Sequence, residues 1–163
     1  MIIKPVVLKL GPFQQLHEGL MDEKFPWYYH PHQVSKNDRS YFYHTFYWSH
    51  NIQSDYFNLV TPLIEFLKPV ALINIRANLM INRDKEIKSD WHTDEYNNPK
   101  LNHKTAVYYV NSNNGYTEFK LKRKIKKIPS VANSMAMFDS STQHRAVSQT
   151  KEDRRIVINI NYF

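Results

Sequence analysis

Residues 90–100 read DWHTDEYNNPK, which places His92 and Asp94 two positions apart. In an extended chain, residues i and i+2 project to the same side. An imidazole and a carboxylate set this way can grip one object together. An isolated His-x-Asp is a weak signal, because chance produces many. A third donor of the right type lies in DSSTQHRAVS: His144, 50 residues beyond Asp94. Several predicted strands intervene, and in a barrel that separation can return the chain to the same mouth.

Two imidazoles and one carboxylate on one face of an octahedron hold Fe(II) and leave three positions open. Thiolates are not needed for such a site, and the chain has no cysteine. Eleven residues past His144, Arg155 opens the run RIVININ. Arg155, Val157, Asn159 and Asn161 share one face of that strand, and Ile156, Ile158 and Ile160 share the other. An inward arginine can clamp a carboxylate with its bidentate fork. Arg154 would face the opposite way and is its rival. The ordinary alternative is that the Arg/Asn face is wet and the isoleucine face is core. Periodicity leaves both readings open.

The elements that must position these residues follow from local pattern. In ALINIRANLMIN, Ile73, Ile75, Ala77, Leu79 and Ile81 alternate with Asn74, Arg76, Asn78 and Asn82, which share their side with Leu72 and Met80: the pattern of a strand with one apolar and one largely polar side. The polar faces of strands more often meet solvent. Arg76 and Asn78 lining a cavity is the second reading. Segments 104–111, 115–122, 134–139, 143–148 and 154–161 also read as strands, with a turn over 111–115. Before them, SDYFNLVTPLIEFLK (54–68) predicts a helix with Ser54 as N-cap, which Pro62 either kinks or restarts after Thr61. A shorter helix is predicted over 12–24. The expected architecture is mainly β with flanking helices, in one domain spanning 1–163: a helical and aromatic part over 1–69, then a β core over 70–163 built as a small barrel or two-sheet sandwich.

Composition narrows the function. Three glycines and no phosphate-cradling glycine motif argue against nucleotide binding, and the absence of cysteine excludes disulfides, thiolate-bound metals and cysteine nucleophiles. MIIKPVVLKL is too short and too broken by Lys4, Pro5 and Lys9 for a signal peptide, and no apolar run reaches membrane-spanning length. A soluble, cytoplasmic protein without membrane partners is expected. Much of the net charge of +7 sits in KLKRKIKK, 120–127. The simpler reading is a solvated hairpin edge kept from aggregating by its lysines; the other is a surface for an anionic partner. His17, His30, His32, His44, His50 and His103 read as structural or surface residues, including the His-Pro-His at 30–32.

His-x-Asp, a distant His and an Arg at the head of the last hydrophobic strand resemble the Fe(II)/2-oxoglutarate-dependent oxygenases. The likeness is to their prolyl-hydroxylase-like branch, including small phage-encoded members. TAVYYVN followed by a turn and GYTEF is similar to that branch's YYLN…GGE-x-x-F segment. RIVINI resembles its terminal strand, and FPWYY an N-terminal strand of the small members. The resemblance implies a double-stranded β-helix (a jelly roll, cupin-like), with His92, Asp94 and His144 as iron ligands. It implies Arg155 on the distal carboxylate of 2-oxoglutarate, with Tyr109 contacting the same carboxylate. It further implies Fe(II), 2-oxoglutarate and O2 as cofactor and co-substrates, and a C–H hydroxylation with succinate and CO2 as co-products. Two departures stand out: Gly115-Tyr116 replaces the double glycine, and the spacing from His144 to Arg155 is slightly long.

Three functions compete. The first is hydroxylation of a peptidyl or free amino-acid-type substrate, favoured by the local likeness. The second is a nucleic-acid-directed oxygenase, suited by the basic run and the aromatic front half. The third is a metal-binding barrel without activity. Trp91 shapes the site entrance or simply packs. The substrate itself and the oligomeric state are not legible in the sequence.

Overall fold

The computed structural model describes residues 1–35, 39–94 and 102–163. The segment NRDKEIKSD and the His-x-Asp pattern at 92–94 fall within it. Glu95–Leu101, most of the YNNPKLNHK loop, lie outside the described residues.

The alternation in ALINIRANLMI produces a strand, Leu72–Ile81 (β5), which pairs antiparallel along its length with the C-terminal strand Arg154–Tyr162 (β11). β11 is flanked on its other side by Lys104–Tyr109 (β6), which pairs with Ser134–Asp139 (β9). The short strand Ile2–Lys4 (β1) closes that edge. Beyond β5 lie Tyr41–Trp48 (β3) and Tyr28–His30 (β2), with Asn51–Ile52 (β4) also on β3. The order is β1-β9-β6-β11-β5-β3-β2. A second sheet holds Asn113–Leu121 (β7), Lys124–Ser130 (β8) and His144–Val147 (β10) in the order β10-β7-β8. The two sheets make the jelly roll, a mainly β architecture with flanking helices.

The isoleucine faces of β5 and β11 do not meet the second sheet. Ile75, Ala77, Leu79, Ile156, Ile158 and Ile160 pack with Ala106 and Tyr108 against Leu16 and Leu20 of helix Leu10–Met21 (α1) and Leu63 of helix Thr61–Leu67 (α2). A smaller core of Val107, Tyr109, Phe119, Ile128, Ala136, Phe138 and Val157 lies between the sheets. The large sheet is therefore covered on both faces. Its Arg/Asn face is turned inward rather than to solvent, with Asn74, Asn78, Arg155 and Asn161 all buried. Buried polar groups need partners. Asn161 accepts from the Thr105 hydroxyl (2.6 Å) and donates to the Asn74 carbonyl oxygen (3.3 Å).

Some boundaries differ from the sequence pattern. The continuous helix over 54–68 is instead a 3-10 turn, Phe57–Leu59, followed by α2 with Pro62 in its first turn. Proline lacks the N–H a continuing helix needs but fits a helix start. Ser54 does not cap a helix; its hydroxyl accepts from the Tyr56 N–H (3.0 Å). β7 begins at Asn113, inside the expected turn. The basic run forms the β7–β8 hairpin, turning at Lys122 and Arg123, with β8 at the sheet edge. Among the described residues no helix is long and apolar enough to cross a membrane.

Candidate active site

The segment 87–94 is bound to β10 and the residues flanking it, 140–148, by backbone hydrogen bonds without becoming a regular strand. Ser89 donates to Ala146 (2.9 Å), and Asp94 donates to Ser140 (3.0 Å). Between them, His92 and His144 sit directly opposite and exchange both N–H···O bonds, at 3.1 and 2.9 Å. This pairing sets their rings 4.3 Å apart between centroids. Two residues on, the Asp94 carboxylate turns back toward both rings. His92 Nε2 is 4.0 Å from Asp94 Oδ1, and His144 Nε2 is 3.7 Å from Asp94 Oδ2. One ligand atom from each of the three residues lies within 4.8 Å of the others.

The ring orientations are fixed from behind. His144 Nδ1–H donates to the Thr142 carbonyl (3.0 Å) and His92 Nδ1–H to the Asp90 carbonyl (3.2 Å). A carbonyl only accepts, so both protons sit on Nδ1 and both Nε2 lone pairs face the carboxylate. Burial, in part between Phe119 and Phe138, holds the His144 imidazole below its ordinary pKa, partly opposed by the Asp94 charge. Asp94 Oδ2 is buried, and 3.7 Å is beyond hydrogen-bond reach; it has no hydrogen-bond partner among the described residues. Two neutral nitrogen donors and an unsatisfied carboxylate oxygen fit a divalent cation.

Arg155 lines the same cavity, a cleft of about 210 Å³. It is fully buried, and burial pushes its pKa down to about 10. Its Nε donates to the Ser130 hydroxyl (2.8 Å), Nη2 to the Thr117 hydroxyl (3.0 Å), and Nη1 approaches Met80 Sδ (3.8 Å). Of five N–H groups, two remain, one on each terminal nitrogen, which is what a carboxylate accepts. No carboxylate pairs with Arg155 among the described residues. Arg154 points the other way, and its Nη1 donates to the Met21 carbonyl at the end of α1 (3.2 Å). Gly115 is required beside Arg155: a Cβ there would stand 2.9 Å from Arg155 Cδ and 2.9 Å from the Gln149 backbone nitrogen.

Tyr109 is buried between the sheets on the Arg155 side, while Tyr108 belongs to the helix-side core. The Tyr109 phenol does not line the cavity; it donates to the Thr117 hydroxyl (2.9 Å), and its ring lies 5.8 Å from the Arg155 guanidinium carbon. Thr117 thus accepts from both Tyr109 and Arg155, which occupies its two lone pairs and leaves its own hydrogen to be donated. Thr117 does line the cavity. Sequence pattern missed it, because a threonine in a strand carries no special signal.

Three further residues position the site. Asn111 spans the start of β11, accepting from the Ile156 N–H (2.9 Å) and donating to the Arg154 carbonyl (2.9 Å), so its side chain brackets Arg155. His103 is buried, and its Nε2–H donates to the Asp94 backbone carbonyl (3.0 Å). Glu118 is buried and clamped by Arg145 at 2.7 and 2.8 Å, fastening β10 to β7 one residue from His144. Asn111 and Glu118 belong to the YYVN and GYTEF motifs; His103 carries no local signal. Trp91 is not a bare entrance residue: Arg145 and Lys120 lie 4.3 and 4.6 Å from its ring centroid. The His30 Nδ1 is engaged by the His32 backbone carbonyl at 2.6 Å.

No protein-family model matches the sequence, and no curated protein matches it either. Solved structures do. A prolyl hydroxylase from Trichoplax adhaerens, in complex with a hypoxia inducible factor oxygen degradation domain peptide, superposes with a TM-score of 0.77 at 13% identity, over 99% of this chain and 82% of that one. The fold is that of the 2-oxoglutarate/Fe(II) oxygenases. A prolyl-4-hydroxylase from Pseudomonas putida matches with a TM-score of 0.69 at 13% identity, over 99% of this chain and 90% of that one. The epimerase SnoN, in complex with Fe3+, alpha ketoglutarate and nogalamycin RO, matches with a TM-score of 0.67 at 15% identity, over 99% of this chain and 78% of that one. These oxygenase-fold neighbours catalyse different reactions, so the function of this chain must be argued from its own site.

Proposed function

We propose that this protein is an Fe(II)- and 2-oxoglutarate-dependent dioxygenase that hydroxylates a C–H bond of an amino-acid-type substrate, peptidyl or free. The observation that carries the proposal is the pairing of two unmet demands in one cavity. The His92–Asp94–His144 cluster asks for a cation, and the buried Arg155 asks for an anion.

His92 and His144 would hold iron through Nε2 and Asp94 through its carboxylate. With 2-oxoglutarate and O2, bound iron supplies the oxidising power that converts C–H to C–OH and releases succinate and CO2. The two free N–H groups of Arg155 hold the distal carboxylate of 2-oxoglutarate, and the Thr117 hydroxyl donates a third hydrogen bond. Tyr109 acts through Thr117, fixing which way that hydroxyl points. The Asp90 and Thr142 carbonyls keep both imidazoles in the ligating tautomer. His103 keeps the Asp94 backbone in place. Phe119 and Phe138 keep water from the inner face of His144.

The test is succinate release from 2-oxoglutarate by protein loaded anaerobically with Fe(II) and then given O2. Wild type should release succinate, and His92→Ala and Asp94→Ala should not. Equal release by Asp94→Ala would refute the ligand assignment; no release by wild type, at saturating iron and co-substrate, would refute the activity.

A further inference from the structure

The cavity has a second cation that the reading above does not use. Arg76 lies on β5 on the same face as Asn78 and Met80, and it lines the cavity with them. Strand register puts Arg155 opposite Met80 and Asn159 opposite Arg76. The two arginines are therefore offset by four residues along the sheet, roughly 13 Å at the rise of a strand. They also turn apart. Arg155 reaches across to β7 and β8, bonding Thr117 and Ser130. Arg76 leans to β3, with its guanidinium carbon 5.9 Å from the ring centroids of both Tyr41 and Tyr43. One five-carbon dianion held by Arg155 does not also satisfy Arg76. Among the described residues no carboxylate pairs with Arg76.

Beside it is a second unmet group. Asn78 is 6% exposed, and its side-chain oxygen is buried without a hydrogen-bond partner. That oxygen only accepts. Two residues apart on one strand face, Arg76 and Asn78 present a bidentate cation and a lone acceptor, with the buried Tyr41 as an apolar wall. Their complement is a carboxylate with an N–H donor a bond or two away. The geometry points to a substrate subsite at Arg76, Asn78 and Tyr41 for a free α-amino acid, whose carboxylate meets Arg76 and whose ammonium meets Asn78. This inference rests on the oxygenase reading and selects the free substrate over the peptidyl one, since a mid-chain peptide residue keeps an N–H but has no α-carboxylate.

The experiment uses protein loaded with Mn(II), which does not turn over, and 2-oxoglutarate. Calorimetric titration with the twenty common L-amino acids and with their carboxamides reads the subsite directly. At least one acid should bind, with its carboxamide at least tenfold weaker. Arg76→Met should lower that acid's affinity at least tenfold, to the level of the carboxamide, and Arg76→Lys should restore part of it. Asn78→Leu should weaken the acid while preserving its advantage over the carboxamide. The affinity for 2-oxoglutarate should stay within twofold in Arg76→Met, which also shows that this variant is folded. The subsite is overturned if no acid binds, if carboxamides bind as tightly as acids, or if Arg76→Met weakens 2-oxoglutarate instead. Failure of the Mn(II)-loaded wild type to bind 2-oxoglutarate is a different result, and it removes the oxygenase reading together with the subsite.

Discussion

If the proposed function holds, replacing Arg155 by methionine should make the protein more stable and unable to bind 2-oxoglutarate. Burial lowers the Arg155 pKa to about 10, well below the ordinary guanidinium value. Each factor of ten in proton affinity is worth about 1.4 kcal/mol, so holding the guanidinium charged in this site costs about 3 kcal/mol. Because the folded-state value is the lower one, the cost applies at every pH below about 10 and fades only as pH rises beyond it toward the ordinary guanidinium value. The hydrogen bonds to Ser130 and Thr117 offset part of it, about 1 kcal/mol each. Methionine fills similar volume beside Met80 without the charge, so Arg155→Met should gain about 1 kcal/mol, or about 2–4 °C in Tm for a chain of this size. Adding 2-oxoglutarate at a hundred times its Kd to the Mn(II)-loaded protein should stabilise wild type by about 2.7 kcal/mol, and the variant not at all. The order of the two melting curves therefore inverts on adding ligand. Differential scanning calorimetry with and without co-substrate reads both halves. A ligand-free variant destabilised by more than about 2 kcal/mol would show that Arg155 is a structural residue. A variant that kept the ligand shift would show that the anion binds elsewhere.

Thr117→Val should weaken 2-oxoglutarate more than Tyr109→Phe in calorimetric titration, by roughly tenfold against a few-fold, since the threonine lines the cavity and the phenol reaches it only through the threonine. Gly115→Ala should lower 2-oxoglutarate affinity with little change in Mn(II) affinity, because its Cβ crowds Arg155 Cδ and the Gln149 backbone and touches no ligand of the metal cluster. His44 is buried, its Nδ1–H donating to the Pro26 carbonyl and its Nε2 accepting from Ser54, and burial holds its pKa below 6.5. The unfolded chain therefore binds more protons as pH falls below about 6.5, and stability falls with it; chemical denaturation at pH 7.5 and pH 5 should show a smaller loss in His44→Gln than in wild type, and equal losses would contradict the assignment.

The strands around the site were legible because their alternation is strong. β9 matches residues 134–139 of the sequence pattern, and β11 extends it by one residue. Which face of β5 and β11 was wet was not legible. Both faces are buried, one under α1 and α2 and one against the second sheet, and alternation reports only that the faces differ. The polar face of a strand normally meets water; here it lines a cavity because the second sheet stands over it. The cluster of His92, Asp94 and His144 was suggested by residue type and spacing, but its convergence depends on one backbone pairing across the fold. His103 illustrates the limit: its bond to the Asp94 carbonyl is a consequence of where β6 begins, which no local pattern announces. The front-half strands β1 to β4 were blurred by runs of aromatics such as YFYHTFYW, in which both faces carry rings and no period of two survives.

The direct pairing of His92 with His144 also bears on how metal and folding are linked. The two residues are 52 positions apart (144 − 92) and are joined by their own backbones. Closing a flexible loop of that length costs roughly 3–4 kcal/mol, and here the sheet meets that cost before any ion arrives. Metal would enter a formed cradle instead of assembling one. Chelation should therefore empty the site and leave the chain folded, with loss of ion and loss of structure as two separate transitions, in contrast to small zinc domains whose folding is the binding event.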